Sequence, residues 1–167
     1  MKKILYIIVF MILCFLLYAD NIFSPLVVIE ERKNGRFQTK NLPFTETIFS
    51  LLWDHEILFF DKKLEHPIQN KAAKIDPQIF AEEAKLAGAD SLILLSIDYV
   101  FVPLKENNNF YLLEGRAYFT VYTLSNNKTI IDNSIDLADI LDKQAFNALQ
   151  KDKPLKQLAF KLIKHIL

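Results

Sequence analysis

Apolar and polar positions alternate along this chain in a way that changes period several times. Ile4 to Ala19 is an unbroken apolar run of 16 residues behind Lys2-Lys3. Pro25 to Ile29 is β-branched and predicts a first strand. Glu30 to Lys40 is charged, contains Asn34-Gly35, and reads as a turn or loop. Beyond Pro43, the residues Ile48, Leu51 and Leu52 fall at helical spacing, so Phe44 to Trp53 predicts a helix with Thr45 as its cap. Ile57-Leu58-Phe59-Phe60 reads as a second short strand, ended by Asp61-Lys62-Lys63. Leu64 to Lys74 has no period.

The pattern is clearest from Asp76 onward. Asp76-Pro77 is a helix start, and the Ala-rich segment up to Ala87 carries Glu early and Lys late, which suits the helix dipole. Gly88 stands where a helix end wants a residue free to take positive φ. Ser91 to Val102 is then almost wholly apolar, as expected of a strand covered on both faces. Lys105 to Asn109 is a polar hairpin connection, and Phe110 to Leu124 alternates. Leu113, Gly115, Ala117, Phe119 and Val121 share one face; Glu114, Arg116, Tyr118, Thr120 and Tyr122 share the other. Ser125 to Lys128 makes a second turn and Thr129 to Ile135 a third antiparallel strand. Asp142 to Gln150 reads as a short helix. Pro154 opens another, with Leu155, Leu158, Ala159, Leu162 and Ile166 on its apolar side. The order is β-α-β-α-β-β-β-α. It predicts an α/β (α+β) fold: a mixed sheet with an antiparallel C-terminal meander, flanked by helices.

The leader adds a compartment to this picture. Residues 1–19 form an export signal cut after Ala19, or an N-terminal anchor in the inner membrane; 16 apolar residues is short of the ~20 of a comfortable span. Residues 20–167 make one domain. Cys14, the only cysteine, follows Met11-Ile12-Leu13 and lacks the small residue that precedes a lipidated cysteine. A chain cut after Ala19 has no cysteine, which excludes disulfides and thiolate catalysis. Twenty basic residues balance 20 acidic ones, so the basic excess of a nucleic-acid binder is absent. Three glycines leave no glycine-rich phosphate cradle.

Candidate chemistry is sparse. Trp53-Asp54-His55-Glu56 is the most site-like string. The second histidine of His-Glu-x-x-His is missing, because position 59 is Phe. A small metal-binding enzyme built on His55, Glu56 and His66 is the competing reading; a polar helix end accounts for the same residues. Glu82-Glu83 suits first-turn charge better than a carboxylate pair. Asp98 shares parity with Leu92 and Leu94 and marks where that face becomes solvated. Arg116, Tyr118 and Tyr122, with Tyr99 and Phe101 if these lie nearby, form a candidate partner-binding face, since Tyr and Arg are frequent binding anchors.

Several strings resemble the small α/β module of the TolB N-terminal domain, the LpoB protein and CsgG. A strand ending in an Asp-Arg pair is matched by Leu58-Phe59-Phe60-Asp61-Lys62, with Lys for Arg. A helix ending in Gly-Ala-Asp before the central strand is matched by Gly88-Ala89-Asp90. The Thr-Gly hairpin is matched by Tyr122 to Lys128, where Asn126-Asn127 can turn the chain without glycine. The resemblance implies an exported, non-enzymatic protein of the periplasm or cell envelope. Such a protein has no catalytic residues and no cofactor, and acts by binding an envelope protein or a second copy of itself. The complex it would serve is a cell-wall synthase, a secretion system or a flagellar assembly.

Overall fold

A computed structural model of the chain describes residues 24–40, 42–104 and 110–142. Its strands are β1 (Pro25–Lys33), β2 (Arg36–Phe37), β3 (Phe60–Lys62), β4 (Ser91–Pro103), β5 (Phe110–Thr123) and β6 (Lys128–Asp142). Its helices are α1 (Pro43–Asp54) and α2 (Gln78–Ala87). They build one mixed sheet in the order β2-β1-β4-β5-β6, with β3 also pairing β1. β1 runs parallel to β3 and β4; β4, β5 and β6 form the antiparallel meander. The expected mixed α/β class with its C-terminal meander is present. The two proposed C-terminal helices, from residue 143 onward, and the connection at 105–109 lie outside the described residues.

The period of two assigns each helix its own side of the sheet. Val27 and Ile29 of β1, Ile93, Leu95 and Ile97 of β4, and Ala117 and Phe119 of β5 are buried against Phe44, Ile48 and Leu52 of α1. The intervening residues Leu26, Val28, Leu92, Leu94 and Tyr122 pack on Phe80, Ala81 and Ala84 of α2. A sheet covered on both faces accounts for the nearly continuous apolar run of β4.

Gly88 ends α2 at φ 79°, with its N–H bonded to the Lys85 carbonyl at 3.1 Å. An added Cβ there meets nothing within 4 Å, so only backbone strain penalises a side chain. Gly88→Ala is expected to lose about 1–2 kcal/mol, measurable by urea unfolding.

Three expectations are corrected. First, β1 does not stop at Ile29. Glu30, Glu31, Arg32 and Lys33 continue it, and the first three are buried. Charge reads as solvent exposure in a sequence, whereas here the charges have buried partners. Secondly, the short strand is Phe60–Lys62 rather than Ile57–Phe60. Ile57 donates its N–H to the Leu52 carbonyl at the end of α1, and Phe59 stacks on Phe49 at 5.1 Å, so these residues serve the helix exit. Thirdly, Thr45 does not cap α1. The helix begins after Leu42, and the side chain that receives its first-turn donors belongs to Glu31. β6 is longer than expected and includes Asp142.

Candidate partner-docking face

Among the described residues, the α2 side of the sheet is only half covered. Beyond the apolar rows under α2, the register aligns two polar rows across the strands. One row runs Glu30, Ser96, Tyr118, Ser134. The next runs Arg32, Asp98, Arg116, Asp136, which alternates in charge across four strands. Cross-strand neighbours of opposite charge stabilise a sheet modestly, so this row helps hold the register.

The row passes from interior to solvent. Arg32 is buried, pairs with Glu30, and donates to the backbone carbonyl of Gln69, which fastens the 64–74 loop over this end of β1. Glu30 Oε2, Arg32 Nε and Ser96 Oγ have no hydrogen-bond partner among the described residues. Asp98 accepts from the Gly35 N–H at 3.1 Å and so ties the β1–β2 turn to β4. Arg116 Nε donates to Asp136 Oδ1 at 2.6 Å on the open surface. Asp136 first, and Tyr118 next, hold the Arg116 guanidinium above its ordinary pKa, so it keeps its charge.

Over these rows lies an open groove of about 600 Å³. Asp98, Glu114, Arg116 and Tyr118 form its floor, the Asn34-Gly35 turn one wall, and the loop at Asn70 to Ala72 the other. The lining mixes both charges with one half-buried aromatic ring. That combination suits polar recognition of a protein surface.

The five residues put forward from the sequence do not form one surface. Arg116 and Tyr118 share the groove, and Tyr99 also borders it. Tyr122 is on the same side of β5 but is buried under α2, where its hydroxyl accepts from Gln78 Nε2 at 3.0 Å. Tyr99 and Phe101 pair with Gly115 and Leu113, which turns both side chains to the α1 face. Tyr99 is buried there, 5.0 Å from the Phe44 ring, and donates to Glu31. Phe101 sits edge-on to Tyr99 with Lys33 over its ring. The register decides this: odd residues of β4 pair with odd residues of β5, so Asp98 and Ser96, not Tyr99 and Phe101, share a face with Arg116 and Tyr118.

The groove also contains residues that sequence reasoning missed. Asn34, Asn70 and Lys71 come from two loops far apart in the chain, and no local signal joins them to β5. His55 and Glu56 end α1 and are exposed, and His66 is in the loop after β3. Among the described residues no group of three or more His, Cys, Asp or Glu side chains is placed to hold a metal ion. Glu83 pairs with Lys62 at 2.6 Å, linking α2 to β3.

In class, then, the chain is a small α+β domain with one sheet face packed under α1 and the other, among the described residues, only half covered. It matches no protein-family model. It matches no curated protein. Among solved structures it is similar to the lipoprotein GNA1162 of Neisseria meningitidis, at 13% identity and a TM-score of 0.49, over 86% of this chain and 96% of that one. It is similar to TolB of Acinetobacter baumannii at 12% identity and a TM-score of 0.43, over 86% of this chain and 27% of that one. The LpoB C-terminal domain of Salmonella enterica follows at 13% identity and 0.38, over 69% and 83%. TolB and LpoB are two of the three proteins whose strings the sequence resembles.

Proposed function

We propose that this chain is a non-enzymatic cell-envelope protein that works by holding another protein in the groove over Arg116 and Tyr118. The observation that supports it is the half-open sheet face, where among the described residues a charged row and an aromatic ring stay accessible beside the part packed under α2. The leader supports export.

Site-directed crosslinking in intact cells tests the reading. A photoreactive residue at Glu114 or Tyr118 is expected to capture one defined partner, and the same residue at Glu82 on α2 is not. Equal capture from both sites, or none from the groove, sinks the proposal. Arg116→Ala is expected to weaken the captured complex about tenfold or more, equivalent to roughly 1.4 kcal/mol. Arg116 is exposed, so the stability of the domain should stay within about 0.5 kcal/mol of wild type.

A further inference from the structure

The apolar leader joins the domain at a fixed point. The Ser24 N–H donates to Asp90 Oδ2 at 3.0 Å, and the Asp90 N–H donates to the Ser24 carbonyl at 3.2 Å. Only Asp20 to Phe23 lie between this clamp and the apolar run that ends at Ala19. Four residues, fully extended, reach at most about 14 Å.

Large exposed apolar side chains collect around that point. Phe60 pairs with Leu26, two residues from Ser24, and Leu58 is two residues earlier and 61% exposed. Trp53 is one turn beyond the Phe49 that stacks on Phe59, and it is 73% exposed. Leu86 is four residues before Asp90 and 84% exposed. Ile130, at the bulge of β6, is exposed at the same end across the sheet. Among the described residues only Ile79 and Val102 are large, apolar and exposed elsewhere. Single exposed apolar residues are ordinary on a protein surface, whereas a cluster beside a fixed attachment point asks for an occupant.

We propose that the leader is retained as a membrane anchor, and that this end of the domain, through Trp53, Leu58, Phe60 and Leu86, rests in the interfacial layer of a lipid bilayer. The length of the leader favours this seating. Sixteen apolar residues cover about 24 Å if helical, less than the ~30 Å hydrocarbon core, and a short anchor draws its flanking residues toward the bilayer. A tryptophan beside aliphatic residues suits the boundary between headgroups and acyl chains. Among the described residues no helix is long and apolar enough to cross a membrane. The surface shares no residue with the Arg116 groove, so the two proposals can fail separately. Leu26 and Arg32 are six residue steps apart along β1, which holds the groove about 20 Å above the seated end.

Trp53 is the only tryptophan, so its emission reports this surface alone. Full-length protein in phosphatidylethanolamine–phosphatidylglycerol vesicles is expected to emit to the blue. Lipids brominated high on their acyl chains should quench that emission strongly. The double variant Leu58→Asp, Leu86→Asp changes only exposed positions. It should still float with the vesicles and melt as wild type does, with quenching reduced several-fold. Absence of quenching overturns the proposal, as does quenching undiminished in the variant. A blue shift without quenching also overturns it, because the cover is then a second copy or another protein. Recovery from cells of a chain beginning at Asp20 overturns it as well.

Discussion

Glu31→Ala is expected to destabilise the domain by roughly 3–5 kcal/mol, a large share of the ~5–15 kcal/mol that holds a domain of this size. Glu31 lies on β1 with its side chain buried against α1. Its carboxylate accepts from the Thr45 N–H at 3.0 Å, the Thr45 hydroxyl at 2.9 Å, the Tyr99 hydroxyl at 3.0 Å and, at 3.4 Å, the Phe44 N–H. Two of those donors are first-turn amides of α1, which have no partner within the helix. The helix dipole adds a favourable field at the same end. One side chain from the strand therefore does the capping that Leu42 cannot do. Alanine strands all four donors in or near the core, at about 1–3 kcal/mol for each buried donor that water does not reach. Glu31→Gln keeps an acceptor and should lose less, about 1–3 kcal/mol. Urea unfolding of both variants at one pH gives the comparison; an alanine variant within 1 kcal/mol of wild type would remove Glu31 from its place as the joint between sheet and helix.

The pH dependence of that joint runs opposite to an ordinary ion pair. Burial raises the Glu31 carboxyl above its usual 4.5, and the bonds from Thr45, Tyr99 and Phe44 pull it down only part of the way. The folded state therefore holds the proton more tightly than the unfolded chain. The contribution of Glu31 is complete below about 4.5 and falls as pH rises through the raised folded value. Tyr99 does not compensate. Burial first, then the Glu31 charge, push its phenol well above the ordinary value, so it remains a donor throughout. Between pH 4.5 and neutrality, wild type should lose stability with rising pH relative to Glu31→Gln, and a difference between them that stays flat would contradict the raised carboxyl.

How much of this was legible depended on whether polarity and burial agreed. They agree in β4, expected at Ser91 to Val102 and found at Ser91–Pro103. They agree in α2 and in β5 as far as Phe119, where Leu113, Ala117 and Phe119 are buried as the period of two requires; beyond it Thr120 and Tyr122 of the expected wetter face are buried as well. They part company at Glu30, Glu31 and Arg32, where three adjacent charges are buried and read from sequence as a loop. Those residues make the link to α1 and the lock on the 64–74 loop. The groove was half legible. Arg116 and Tyr118 follow from β5 parity alone, but the register between β4 and β5 decides which β4 residues join them, and no single strand shows that register. Asp98 was placed correctly at the solvated end of its face because its parity depends on β4 alone.

Gly115 is where strand pairing leaves the least tolerance, and Gly115→Ala is expected to lose about 3 kcal/mol. The site stands opposite Tyr99 on the α1 face. A Cβ built on Gly115 would lie 2.2 Å from the Asp98 carbonyl oxygen, 2.8 Å from Tyr99 Cα and 3.0 Å from Tyr99 Cβ. The first two are backbone atoms, so no rotamer change relieves the overlap; β4 and β5 must move apart. Separation at this point disturbs both faces. On one face it shifts Tyr99, whose hydroxyl and ring contact Glu31 and Phe44. On the other it pulls Asp98 away from Arg116, its partner in the register. For a chain of this length, about 3 kcal/mol corresponds to a thermal midpoint lower by roughly 6–12 °C. The same variant is expected to weaken crosslinking from Tyr118 even at temperatures where it stays folded, because the groove floor moves with the strands. A Gly115→Ala protein that melts with wild type would show that β4 and β5 do not approach this closely, and the register from Tyr99 to Arg116 would need revision.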